Sequence, residues 1–212
     1  TGELMTSATI TDRLVALSRA LIGRIRGGLA QVNVLVSMFF AGMNGSVVAD
    51  TATVGALVLP AMKKAGYPAA FSAAVTGVSS TIGGIIPPSI MMIVLANATE
   101  ISIASLFAAG IVPGILIGVV IMVINHYFAV KHNFERSDEP FSVRRAGKEL
   151  YRSSFALLIP LVLVGSVMGG VASVVEAGAI TALVALFTGV FVYRTIKWKD
   201  CTGAFRRAFR NS

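Results

Sequence analysis

Gly42-Met43-Asn44-Gly45-Ser46-Val47-Val48-Ala49-Asp50-Thr51 places two glycines, an amide, a hydroxyl and a carboxylate in the middle of an otherwise apolar run, residues 29–62. In hydrocarbon every freed backbone N–H and C=O needs a partner, so a helix is interrupted at membrane depth only where protein or a polar cavity covers the break. The stretch predicts two half-helices meeting at a polar tip, which is the mark of an ion or solute site.

Working outward, composition sets the surroundings. Of 212 residues, 55% are hydrophobic and 13% charged, with a mean hydropathy of +0.80, outside the range of a soluble domain. Four windows carry no charge, 29–49, 65–99, 101–125 and 153–175, and a fifth, 177–193, approaches the ~17–25 residues of a spanning helix. The chain reads as an all-α polytopic membrane protein.

The net charge of +8 is not a nucleic-acid footprint, because Lys and Arg cluster between the apolar windows. Arg24 and Arg26, Lys63 and Lys64, then Lys131 to Arg152, and finally Arg194 to Arg210 form one set, whereas residues 97–102 and 173–178 hold Glu100 and Glu176 and no base. The positive-inside rule makes the first set cytoplasmic and the second external. Both ends of 29–62 then face the cytoplasm, and the run is too short for two spans of ~20 residues each. A re-entrant hairpin with its tip at residues 44–46 satisfies both conditions. Residues 67–97 cross outward, 101–130 return, 154–172 cross outward and 177–193 return.

The outward span carries its own interruption, Thr81-Ile82-Gly83-Gly84-Ile85-Ile86-Pro87-Pro88-Ser89. Two glycines and two prolines unwind the helix and free carbonyls that no longer bond down the ladder. One isolated proline would more often be a kink in a packed helix. Gly-Gly-x-x-Pro-Pro beside a polar hairpin instead predicts a second discontinuous helix, the pairing from which secondary transporters build substrate and ion sites.

Several motifs in one order then carry a family resemblance. Residues 26–34 (Arg-Gly-Gly-Leu-Ala-Gln-Val-Asn-Val), the tip 42–50, residues 60–67 (Pro-Ala-Met-Lys-Lys-Ala-Gly-Tyr) and 79–90 together resemble the DctM-like large membrane subunit of tripartite ATP-independent periplasmic (TRAP) transporters. The likeness weakens after Lys131, where Val171 to Ala177 resembles a segment that in the family carries Thr-Pro-Thr before its Glu. Asn44 stands where family members often have Ser, and Gly84 where they often have Pro; both suit an oxygen-lined, unwound site. The family's subunit holds two inverted repeats and this sequence supplies the first, so the chain, which starts at Thr1 without Met, is expected to be a fragment or incompletely recorded subunit.

The resemblance implies one of two inverted repeats of an elevator-type ion-transporter fold. It implies sodium-coupled import of small organic anions such as C4-dicarboxylates or sialic acid across the bacterial inner membrane. A periplasmic (DctP-like) binding protein would deliver the solute to a permease that includes a small (DctQ-like) membrane subunit. Na+ would sit between Asn44, Gly45 and Ser46 and the backbone around Gly83, Ile86 and Pro88, as hard cations favour oxygen. Substrate contacts fall to Asn44, Gly45, Ser46, Ser80 and Thr81, with Thr76 and Ser79 also able to line the cavity or to bond neighbouring backbone. Asp50 supports the site, and its role is open between capping the helix start, shaping the sodium site and proton coupling. No Arg or Lys lies in these windows, so a cationic clamp must come from elsewhere. The alternative is a divalent anion:sodium symporter-type transporter, which needs no binding protein.

This divides the chain into 1–28 (end of a first helix and an interfacial helix), 29–130 (hairpin 29–62, broken helix 67–97 and helix 101–130), a cytoplasmic arm at 131–153, scaffold helices at 154–194 and an amphipathic tail at 195–212, the surface segments meeting lipid head groups. Catalysis has little to stand on. There is one cysteine, Cys201, His126 and His132 have no ligand set around them, and no G-x-x-x-x-G-K-[ST] loop exists for ATP. An intramembrane hydrolase would need a base beside Ser46, and the chain is not expected to be an enzyme.

Overall fold

In the computed structural model, residues 10–22, 25–134 and 142–189 are described; the proposed tail at 195–212, with Cys201, and the start of the 1–28 segment lie outside them. The described residues form α1 (Ile10–Ile22), α2 (Gly28–Asn44), α3 (Val47–Lys64), α4 (Ala69–Ser80), a 3-10 turn (Thr81–Gly84), α5 (Ile90–Thr99), α6 (Ile103–Lys131), α7 (Val143–Met168) and α8 (Val174–Phe187), with no strand among them.

Local sequence sets each boundary. α2 stops because Gly45 adopts a left-handed φ of 61°, and α3 starts immediately, its first turn capped by the Ser46 hydroxyl, which accepts from the Ala49 N–H at 3.4 Å. At the other end of α3, Gly66 at φ 77° donates its N–H to Lys63 O and Tyr67 donates to Met62 O, a Schellman closure. Lys63 and Lys64 complete that last turn, where cations suit the helix dipole.

α2 is the central element. It packs on α1, α3, α4, α6, α7 and the 3-10 turn, burying Val34, Val36, Phe40 and Ala41. A helix that is apolar all round belongs in the interior. A polar seam joins it to α4: the Asn33 amide donates to Thr76 Oγ1 at 2.7 Å, Thr76 donates to Ser72 O at 2.9 Å, Ser79 donates to Asn33 Oδ1 at 3.1 Å, and Ser37 donates to Ser79 Oγ at 3.2 Å. Interhelical hydrogen bonds in a membrane are worth roughly 0.6–2 kcal/mol each. Asn33→Leu, which breaks two and leaves the Thr76 and Ser79 hydroxyls bonded only within α4 and to Ser37, is expected to destabilise the fold by about 1–3 kcal/mol. A melting temperature in detergent equal to wild type would contradict this seam.

α6 reverses the pattern of a soluble helix. Its small residues Gly110, Gly114 and Gly118 face inward, while Val112, Leu116, Val119 and Val123 are exposed. Small residues let backbones approach and large apolar ones meet lipid. α6 and α7 are each long and apolar enough to cross a membrane. The inward glycines receive Ile85 and Met92, Ile86, and Met38 in turn.

The two ends of the hairpin meet at one end of the molecule. Arg26 donates to Asn133 Oδ1 at 3.0 Å, and the Tyr67 ring lies 4.8 Å from that of Phe134. The second break, through Ile85 and Ile86, lies against Gly110 and Gly114, roughly 10–16 Å along α6 from its start at Ile103.

Two elements add detail to the sequence reading. The basic segment after residue 142 and the apolar segment after 153 form one continuous helix, α7, which runs through both Gly147 and Pro160. α1 packs on α7 and α2, with Leu14 and Leu17 fully buried and Ser153 donating to Arg13 O at 3.3 Å. At the opposite end, Ser173 and Glu176 form a capping box that starts α8; the Ser173 N–H and hydroxyl both donate to the exposed carboxylate and hold it below the usual carboxylate range.

Candidate functional site

The two helix breaks touch. The Ile90 N–H, first in α5, donates to Gly45 O at 3.1 Å. A Cβ built on Gly45 would collide with Pro88 O and stand 3.3 Å from Ser89 Cα. Glycine is therefore required twice over at 45, for its positive φ and for this approach. Beside this contact, Gly83 faces the Ser46 carbonyl and the Asp50 Cβ, and Gly84 faces Val47.

Four helix ends converge at this point. The C-terminal ends of α2 and α4 bring partial negative charge, and the N-terminal ends of α3 and α5, capped by Ser46 and Ser89, bring partial positive charge. Ser89 also donates to Gly84 O at 2.7 Å, and Ile82 O takes the N–H groups of Ile85 and Ile86. Among the described residues no hydrogen bond forms to the carbonyls of Gly83, Ile86 or Pro88. They remain available to a hard cation, which takes oxygen ligands.

The structure thus brings together Gly45, Ser46, Gly83 and Pro88. Ile86 joins them through the backbone, its side chain lying against Gly114. The backbone of Asn44 closes α2 at the tip, but its side chain lies outside the described residues. Thr81 is exposed and its hydroxyl returns to Val78 O at 2.7 Å, so in this chain it bonds its own helix. Ser80 points inward and is fully buried, with no partner for its hydroxyl.

Asp50 is fully buried and neither carboxylate oxygen has a hydrogen bond. The cap of α3 is Ser46, so capping leaves this carboxylate unexplained. Its polar neighbours are the hydroxyls of Ser80 and Ser37. A buried polar group left unpaired demands a reason, and an unpaired charge more so. Ser37 was not among the residues singled out in the sequence. Its signal was the spacing of four from Asn33, which puts both on one face of α2 opposite Ser72, Thr76 and Ser79.

Among the described residues the chain is all-helical, two of its helices are long and apolar enough to cross a membrane, and its two helix interruptions meet at a cluster of backbone oxygens. Comparisons with known proteins add the family. The family model described as "Tripartite ATP-independent periplasmic transporter, DctM component" matches residues 1–212. The chain belongs to this family of TRAP transporter large permeases.

It is 36% identical over 200 residues to the C4-dicarboxylate TRAP transporter large permease protein DctM of Pseudomonas aeruginosa, covering 94% of this chain and 47% of that protein. To the sialic acid TRAP transporter large permease protein SiaM of Vibrio cholerae it is 35% identical over 92% of this chain and 46% of the relative. To the 2,3-diketo-L-gulonate TRAP transporter large permease protein YiaN of Escherichia coli it is 36% identical over 91% and 45%. The chain spans about half the length of these relatives.

Proposed function

We propose that this chain is the sodium-binding repeat of a TRAP permease that imports small organic anions across the bacterial inner membrane. The observation that carries the reading is the contact of the hairpin tip with the second helix break, Gly45 against Pro88 and Ile90. Na+ sits between the tip, Asn44 to Ser46, and the carbonyls of Gly83, Ile86 and Pro88. The C-terminal ends of α2 and α4 add negative potential there. The N-terminal ends of α3 and α5 favour an anionic carboxylate on the other side of the ion. The substrate is then held at the tip, with Ser80 at the end of α4 and Thr81 at the start of the adjoining turn. Na+ neutralises carbonyl dipoles that would otherwise repel that carboxylate, and this couples the two.

The shared end of Arg26 and Tyr67, both beside the residues that follow α6, supports a re-entrant hairpin. The rest of the permease supplies a second repeat and a cationic clamp, so that one bundle moves as an elevator against a scaffold. A small DctQ-like subunit extends that scaffold and a DctP-like binding protein delivers the acid. C4-dicarboxylates, sialic acid and related carboxylates are the substrate class.

The test is uptake into proteoliposomes containing the full-length permease and its small subunit. Radiolabelled C4-dicarboxylate or sialic acid is presented on its binding protein under an inward sodium gradient. Uptake is expected only with both the gradient and the binding protein. Sodium-driven uptake of free substrate would favour a symporter of the divalent anion:sodium type, and uptake indifferent to sodium would overturn the reading.

A further inference from the structure

We propose that Gln31 and Asn125 hold a water molecule between the start of the hairpin and α6. The site involves neither helix break and uses two amide side chains that the fold buries where α2 crosses α6, at 3% and 4% exposure.

Register brings the two amides together. Gly27, the N-cap of α2, packs on Ala129 of α6, and a Cβ added to it would stand 3.9 Å from Asn125 O. One turn further along α2, Gln31 donates from Nε2 to Met122 O at 2.8 Å, and Met38 lies against Gly118 beyond that. The two helices therefore run antiparallel in contact, and buried Asn125 falls between the levels of Gly27 and Gln31. It stands three residues after the carbonyl that Gln31 holds, on the same side of α6.

Their hydrogen bonding is incomplete in complementary ways. Met122 O can only accept, so the Gln31 amide must turn Nε2 toward it, and Oε1 is left buried with no donor among the described residues. Asn125 Nδ2 is buried with no acceptor among them. An idle buried amide group costs roughly 1–3 kcal/mol, so two of them side by side call for a ligand. One wants a donor and the other an acceptor. A cation would meet the Asn125 N–H and an anion the Gln31 oxygen, and α2 holds no Lys, Arg, Asp or Glu while α6 holds only Lys131 at its end. Water satisfies both at once, accepting from Asn125 Nδ2 and donating to Gln31 Oε1. Asn125 lies roughly 9 Å along α6 from Lys131, close to the exposed end where Arg26 meets Asn133, which gives the water a short way in. Bound there, it ties the first half-helix of the hairpin to the helix that backs the second break.

The test joins a cryo-EM map of the purified full-length permease that resolves ordered waters to melting temperatures in detergent. A water within hydrogen-bond distance of both Gln31 Oε1 and Asn125 Nδ2 is expected in the map. A direct bond between the two amides, or amides with no water between them, overturns the site. Asn125→Leu is expected to lower the melting temperature by a few degrees in the wild-type background, because it strands Gln31 Oε1. In Gln31→Leu, where the water has already lost the oxygen it donates to, the same substitution is expected to leave the melting temperature unchanged or raise it. Equal falls in the two backgrounds, or a higher melting temperature for Asn125→Leu alone, overturn the site as well. If Gln31→Leu does not fold, the map and Asn125→Leu alone decide.

Discussion

Gly45→Val is expected to abolish uptake while the protein still reaches the membrane. At φ 61° an L-residue costs about 1–2 kcal/mol, and a β-branched one is worse placed still. The steric term is larger in consequence. The new Cβ falls on Pro88 O, with Pro88 C at 3.2 Å and Ser89 Cα at 3.3 Å, all backbone atoms that cannot rotate away. Relief requires the tip and the second break to separate, which also opens the Ile90 to Gly45 hydrogen bond. With roughly 1–3 kcal/mol of overpacking added to the strain, the contact is lost before the fold is. Uptake below about one hundredth of wild type, with the protein still recovered from the membrane, is the expected result. Wild-type uptake by Gly45→Val would mean that the tip need not touch Pro88.

Gly110→Val tests the same break from its other side. A Cβ there would stand 2.5 Å from Ile85 O and 2.5 Å from Met92 Cε. The methionine can swing aside, as its unbranched chain adapts readily, but the carbonyl belongs to the turn that holds Gly83 and Ile86 in place. The 3-10 turn must therefore move away from α6, carrying the ion's carbonyls with it. A fall of about tenfold or more in uptake and a lower melting temperature are expected. Gly165→Val, on the open face of α7 where an added Cβ meets nothing within 4 Å, is the matched control and is expected to stay near wild type. Equal behaviour of the two variants would remove α6 as the backing of the site.

Both breaks were legible in the sequence because their causes are local. Gly45 and Ser46 end one helix and start the next within two residues, and Gly83, Gly84, Pro87 and Pro88 deny the ladder its donors and its regular φ. The common end of the hairpin was legible from charge, Arg26 on one side and Lys63 and Lys64 on the other. What was not legible depends on which helices meet. Ser37 reads in isolation as a small residue in an apolar run, free to bond its own backbone. Its meaning appears only when Ser79 and Asp50 arrive from α4 and α3. The continuity of α7 across residue 153 was hidden for a different reason: the change from basic to apolar composition marks a change of surroundings, while helix propensity runs through it.

The central claim is that the tip and the second break share one sodium ion, and the sodium activation curve of uptake tests it most directly. Ser46→Ala removes a tip oxygen, and Gly83→Val forces branched methyls against the Ser46 carbonyl and Asp50. Gly83→Ala, whose Cβ meets both at an ordinary 3.7 Å, is the control. In the full-length permease, Ser46→Ala and Gly83→Val are expected to raise the sodium concentration for half-maximal uptake about tenfold or more, with Gly83→Ala close to wild type. Activation curves for Ser46→Ala and Gly83→Val that overlay wild type would contradict the account.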